Sequence, residues 1–592
     1  MLDNEMEISV SYRDLLPGPV VTRGHDDDDG WAQDAIAVVD YDGVARRYYK
    51  PIDLGHPRVL IQNGLSPSES DPRFHQQMVY AVASETIERF EAALGRRIHW
   101  RRAEKKGKGW QPDDILTLNL YPHAMQAANA FYCPDAHGIL FGYFVADSKN
   151  PGRNLPGQPV FTCLSHDIIV HEVTHAIVDG LRGYFLEQTN VDVPAFHEAF
   201  ADLAALFQHF SHEEVLLDAI QRTGGRLYQG RLRQDTAGMG DSESSQIVGG
   251  LSSENPLIDL ATQFGEATGL LGGLRKALES PVSPDTAKQI TEPHKRGTLL
   301  VAAVFDAFFS IYVKRTQDLF RIYRAGGGSS QPVDLPESLA RALCTEAIRT
   351  AKEFFELCVR ALDYCPPVDI TFGDFLRAVI TAHFDYDPSD AEGIRYAWMQ
   401  SFRRRGLLPT DASYFSEQGL CWKRHEPNSF PRVEALRFGS PAWLSDEETE
   451  GTAARLRGYV TSIGTLLGLE PGVGFDIPSF HPVYRTNRDG SVRTDMIVEV
   501  VQTKDAPFDA PYAHLRPFPF RGGVTLIISS HGTGGGRTGD AFVRYAISKP
   551  LGGGDGAQRL ERQKAHLQRL GLADGDDPNR LRMNFALVHG GF

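Results

Sequence analysis

Ser165-His-Asp-Ile-Ile-Val-His-Glu-Val-Thr-His-Ala-Ile-Val178 carries His171, Glu172 and His175 as an H-E-x-x-H motif inside an apolar, helix-compatible run. Residues four apart share a helix face, so His171 and His175 can reach one metal ion while Glu172 stands beside them as a carboxylate near metal-bound water. Downstream, Val193-Pro-Ala-Phe-His-Glu-Ala-Phe-Ala-Asp-Leu203 reads as a second helix, with Glu198 and Asp202 on one face. A hydrolytic zinc site takes three protein ligands, and His2Glu is one of the standard sets, so Glu198 completes it. Asp202 is placed to accept the second ring N–H of a ligand histidine, which fixes its tautomer. Imidazoles and carboxylates on such apolar helices need partners to offset their desolvation.

From His171 to Asp202 the chain resembles the thermolysin-like metallopeptidases, the gluzincins whose third ligand is a Glu on the following helix. The metzincin alternative needs Gly at 178 and His at 181, where this chain has Val178 and Leu181. The resemblance covers roughly residues 75–385 and implies more of the site. Asn129-Ala130-Phe131 is similar to the family's edge strand, which holds an extended substrate by main-chain pairing. Tyr184, in a connection slightly longer than the family's, is the counterpart of a tyrosine that donates to the developing oxyanion; a purely structural aromatic is the competing reading. His294, just before a long apolar helix, matches a histidine that donates to the tetrahedral intermediate. His197 stands where the family usually has Asn and is not counted as a ligand. Calcium belongs to the family, but its usual position here carries His209, which does not support it.

The 592 residues, 42% hydrophobic, suffice for several cores, and a net charge of -15 argues against a general nucleic-acid binder. The longest apolar run, Leu299–Val313, is interrupted by Asp306, so no membrane span is expected. The opening residues lack the basic and apolar regions of a secretory signal, which predicts a cytoplasmic protein, with export by another route left open. Six cysteines without C-x-x-C spacing read as buried thiols.

Short apolar runs at 36–41 and 59–61 predict strands, and Asp26–Asp29 a solvated turn. Helical period follows over 73–95, then a basic Trp/Arg stretch through Trp110 that reads as a solvated edge. Strands are expected at 115–121, 129–132 and 139–144, and a Gly/Ser-rich loop over 222–256. Helices are expected over 257–278, 298–324, 340–362 and 372–382, with a loop at 326–330 and His209 and His212 on a polar helix side. Beyond 440 a short helix over 446–467 leads to alternating strands at 494–502 and 523–530, with a hairpin turn at 488–490. The glycine-rich 531–539 stretch lacks the G-K-S/T of a P-loop and reads as a flexible loop.

The expected architecture is α+β: a β-rich lobe over 1–165, a helical catalytic lobe over 166–435 and an accessory β-rich domain over 436–592 with an unknown partner. The resemblance implies two thermolysin-like lobes, one catalytic zinc ion and a peptide or protein substrate cut internally, with Glu172 as general base. A gluzincin aminopeptidase, another zinc hydrolase and a non-catalytic binding scaffold remain the alternatives. Residues acidic enough to hold a free amine are not evident before His171, and retention of Glu172 speaks against a mere scaffold.

Overall fold

The computed structural model describes residues 36–101, 117–149, 154–222, 284–326, 335–412, 414–434, 436, 438, 446–530, 541–571 and 581–589. The expectations for 26–29, 102–110, 223–278, 327–330 and 531–539 lie outside them. The chain is α+β.

The first sheet runs β1 (Ile36–Val38), β4 (Leu118–Met125), β6 (Gly138–Val145) and β5 (Ala130–Cys133), with β7 (Pro159–Phe161) also on β6; β2 (Tyr41–Asp42) and β3 (Arg47–Tyr48) form a separate hairpin. Strands β1, β4 and β6 are parallel, and β5 lies antiparallel on β6 from Ala130↔Phe141 to Cys133↔Gly138, which leaves its other edge without a strand partner among the described residues. The expected strand at 59–61 is instead the short helix α1 (Pro57–Ile61), because His56 accepts from the Arg58 N–H and Pro57 occupies its first turn. Helix α2 (Pro72–Leu94) buries Val79, Val82, Ala83, Ile87, Phe90 and Leu94, so the first lobe is mixed rather than simply β-rich.

Helices α3 (His166–Leu181), α4 (Asp192–His209), α5 (Glu213–Arg222), α6 (Pro284–Gln289) and α7 (Pro293–Ala325) follow. Ser165 caps α3 by accepting from the Ile168 N–H, and Ile169, Val170, Val173 and Ile177 are fully buried. Although α7 is long and apolar enough to cross a membrane by composition, most of it is buried in the core. Helices α8 (Glu337–Ala361), α9 (Phe372–Tyr386), α10 (Ile394–Arg405) and the single turn α11 (Glu417–Leu420) complete this lobe. All six cysteines are free thiols.

After α12 (Asp446–Ile463) come β8 (Phe475–Thr486), β9 (Val492–Ala506), β10 (Phe518–Ser530) and β11 (Ala541–Lys549), an antiparallel sheet in the order β11-β10-β9-β8, then α13 (Gly553–Arg569) and the turn α14 (Phe585–Val588). Side chains alternate across a strand. On one face Met496, Val498, Val524, Leu526 and Ile528 pack with α12, whereas Ile497 and Ile527 point the other way into the core shared with α3, α4 and α9.

That inward face differs from the expected accessory domain, and its charges explain why. Asp363 is paired with Arg96 and Arg485, Glu187 with Arg521, Asp369 with Arg559 and Arg562, Asp374 with Lys549, and Asp385 with Arg493 and Arg544. Except for Arg96, the cations come from residues 485–562 and the carboxylates from residues 187–385. Each carboxylate is nearly devoid of solvent, so losing one partner would strand a buried charge. The late sheet is therefore integral to the fold.

Candidate metal centre

On α3 the one-turn spacing brings the Nε2 atoms of His171 and His175 to 3.0 Å from each other. Helix α4 crosses α3 and presents Glu198, whose Oε2 lies 3.4 Å from His171 Nε2 and 3.7 Å from His175 Nε2. These side chains are almost completely buried. Asp202, one turn beyond Glu198, places Oδ1 3.0 Å from His171 Nδ1, the outer nitrogen. On the other ring, His175 Nδ1 faces His197 Nδ1 at 3.4 Å.

The position of His294 follows from how α7 begins. Glu292 accepts from the N–H groups of His294 and Lys295, and Arg296 pairs with Asp192 at the start of α4. Gly297 lies so close to α4 that an added Cβ would stand 3.1 Å from the Ala195 carbonyl oxygen and 3.5 Å from Glu198 Cβ. The two helices meet at the ligand position, and His294 Nδ1 is 3.3 Å from Glu198 Oε2.

Strand β5 supplies the other wall. The Tyr132 N–H donates to Glu172 Oε2 at 2.9 Å, so the sheet edge fixes the carboxylate beside the cluster. The Ala130 carbonyl faces the same way, while the Asn129 carbonyl accepts from the Gly142 N–H.

A fourth imidazole, absent from the sequence expectations, joins them. His589 Nε2 is 3.3 Å from Glu198 Oε2, and its Nδ1 donates to the Ala130 carbonyl at 3.1 Å and lies 3.3 Å from Glu172 Oε1. His171, His175, Glu198 and His589 form one buried group with all ligand atoms within 4.8 Å of one another. Phe585, from the same segment, packs against His175 with ring centroids 4.3 Å apart and the rings tilted by 36°. Nothing local marks His589 in the sequence, since 391 positions separate it from Glu198.

Tyr184 is a correction. It sits in a 3-10 turn, Gly183–Leu186, beneath the Arg521 guanidinium at 4.7 Å, with Glu187, Asp476 and Glu499 as its electrostatic neighbours. The connection is held by the late sheet, whose cations the resemblance did not include, and the ring is drawn to them. His209 and His212, expected on a polar helix side, are half-buried, with both rings edge-on to His166 and His209 Nδ1 3.1 Å from Asp167 Oδ1.

Burial dominates the electrostatics. It pushes Glu172 above the usual carboxylate range and, aided by the other imidazoles, His175 well below the usual histidine value. Burial opposes the charge on His171 too, but Asp202 and Glu198 outweigh it and hold the ring well above that value; for His589, Glu172 and Glu198 raise it to about 8. Glu198 is held well below its usual range despite burial, because His294, His175 and His589 surround it.

The donor set fits a tetrahedral zinc ion. Bonds of about 2.0–2.1 Å at tetrahedral angles put ligand atoms about 3.3 Å apart; four of the six separations are 3.0, 3.3, 3.4 and 3.7 Å, and the two between His589 and the α3 histidines are within 4.8 Å. Glu198 Oε1 has no hydrogen-bond partner among the described residues, an expensive state for a buried carboxylate oxygen. Compared with known families and with curated proteins, the sequence matches neither a family model nor a curated sequence.

Proposed function

We propose that the chain is a zinc-dependent endopeptidase of thermolysin-like architecture. The observation that carries this reading is the convergence of His171, His175 and Glu198 with Glu172 beside them at a sheet edge. Zinc held by these three ligands would supply a Lewis acid that polarises a substrate carbonyl and acidifies water.

The chain's own groups cover the remaining requirements. Glu172 is held by the Tyr132 N–H beside the ligands, and its raised affinity for protons suits it to accept one from water and pass it to the leaving amine. His294 Nε2 donates to a carbonyl oxygen already, that of Val588 at 3.3 Å, so it can stabilise an oxyanion in the same place. The Ala130 carbonyl on the open edge of β5 can pair with an extended peptide backbone. Asp202 orients His171.

A non-catalytic scaffold is the second reading, favoured by the presence of residues 585–589 in the site. Zinc-loaded wild type, His589→Ala and His589→Ala/Glu172→Gln chains, given end-blocked and unblocked peptides with products mapped by mass spectrometry, separate the readings. Internal cuts that require Glu172 are expected. Cuts confined to free N-termini would make it an aminopeptidase, and no Glu172-dependent cleavage by any zinc-loaded chain would refute the peptidase.

A further inference from the structure

We propose that His589 is a fourth protein ligand to the same metal ion, so that residues 581–589 hold the centre closed as an internal inhibitor. The inference rests on the proposed function for what is inhibited, but its geometry stands alone. The segment docks by main-chain pairing: the Gln188 N–H donates to the Leu581 carbonyl at 2.7 Å and the Met583 N–H to the Leu186 carbonyl at 2.8 Å. Phe585 is then buried against His175 and Tyr132. The Val588 carbonyl takes the donor of His294, and His589 takes the outward carbonyl of β5. Ala130 and His294, the two groups given to substrate in the proposed function, are thereby used by the chain itself.

The ring of His589 is oriented as a ligand. Its Nδ1–H is committed to the Ala130 carbonyl, which leaves the Nε2 lone pair facing the cluster, as in histidine ligands whose other nitrogen donates to a backbone carbonyl. Hydrolytic zinc sites keep one position open, whereas four protein ligands characterise closed, structural ones. Displacing residues 581–589 would open the fourth position and free Ala130 and His294 together.

The test uses the full chain loaded with cobalt(II). His589→Cys should acquire a near-ultraviolet thiolate-to-cobalt band that wild type lacks, and His589→Ala should lose visible absorption as solvent replaces nitrogen. Phe585→Ala, which keeps the ligand but removes its anchor, should surrender zinc to a chelator faster than wild type. Peptide cleavage should rise at least about tenfold in His589→Ala, because the competent fraction rises. Wild-type cobalt spectra in both His589 variants would overturn the closure whatever the activity. Altered spectra without cleavage would leave the closed centre standing and refute the peptidase.

A different observation carries a second inference. The ligand atoms of Glu85 on α2, His166 at the start of α3 and His212 before α5 lie within 4.8 Å of one another. Glu85 Oε2, His166 Nε2 and His212 Nε2 are each buried without a hydrogen-bond partner among the described residues. Glu85 Oε1 is engaged by Arg89, and His166 Nδ1 lies 3.1 Å from Asp167 Oδ1, which leaves Nε2 as the free acceptor. We infer that these three side chains bind a second divalent ion of the zinc or cobalt class, since two imidazoles and one carboxylate select such ions over calcium. Equilibrium dialysis of the metal-free chain should give two zinc ions per chain in wild type and one in His212→Ala or Glu85→Gln, with circular dichroism unchanged. One ion in wild type, or two in both variants, would overturn it.

Discussion

Replacing Asp202 by Ala tests the proposed metal centre through a residue outside the proposed ligand set. Its Oδ1 is 3.0 Å from His171 Nδ1, and its side chain is 1% exposed against 4% for His171. A hydrogen bond involving a charged group contributes about 1.5–3 kcal/mol, and loss of an outer carboxylate behind a ligand histidine commonly costs about 10–100-fold in metal affinity. At about 1.36 kcal/mol per tenfold, that is roughly 1.4–2.7 kcal/mol, so the two routes agree. Asp202→Asn keeps an acceptor oxygen without the charge and should lose about tenfold or less. The assay is chelator competition for zinc. Asp179→Ala is the control: that carboxylate lies on the same helix but serves the Tyr132 hydroxyl and Arg101, so it should lower stability and leave zinc affinity within about twofold. Zinc affinity in Asp202→Ala within about threefold of wild type would refute the assigned role.

In the His589→Ala background, His294→Ala should lower kcat by about 100–1000-fold, the worth of one preorganised donor, whereas Tyr184→Phe should stay within about threefold because its ring serves Arg521; stopped peptide assays decide between them. Gly490→Ala should cost about 1 kcal/mol for its positive φ alone. Gly95→Ala should cost roughly 1–3 kcal/mol more by thermal denaturation, because its Cβ would meet the Tyr484 carbonyl oxygen at 2.2 Å. Burial opposes the charges on Asp363 and Asp369, but Arg96 and Arg559 outweigh it and hold both carboxyls far below their usual range. A depressed folded value stabilises above the unfolded pKa of about 3.9 and is lost as pH falls below it. The urea midpoint should therefore drop below about pH 4, and less steeply in Asp363→Asn; equal slopes would refute the attribution.

His171, Glu172 and His175 were legible in the sequence because an α-helix converts a four-residue spacing into a shared face, whatever surrounds it. Glu198 and Asp202 obey the same rule on α4, and the structure brings both pairs together. The late strands were legible from their two-residue alternation. Alternation cannot say what covers each face, so the burial of Ile497 and Ile527 against the helical lobe was not. Val59–Ile61 was misread as a strand because three apolar residues fit either period and the cap on His56 decides.

Local periodicity determined which residues of one helix stand together; contacts across hundreds of residues have no period, and only the tertiary structure decided them. His589 reaches Glu198 because the pairing of 581–583 with 186–188 delivers it, and Tyr184 sits beneath a guanidinium because Arg521 arrives from a distant strand. The same holds for Glu85, His166 and His212, drawn from three separate segments into one partly buried cluster. The spacing of the motif specifies a ligand face, and the packing of a remote segment specifies whether that face is open.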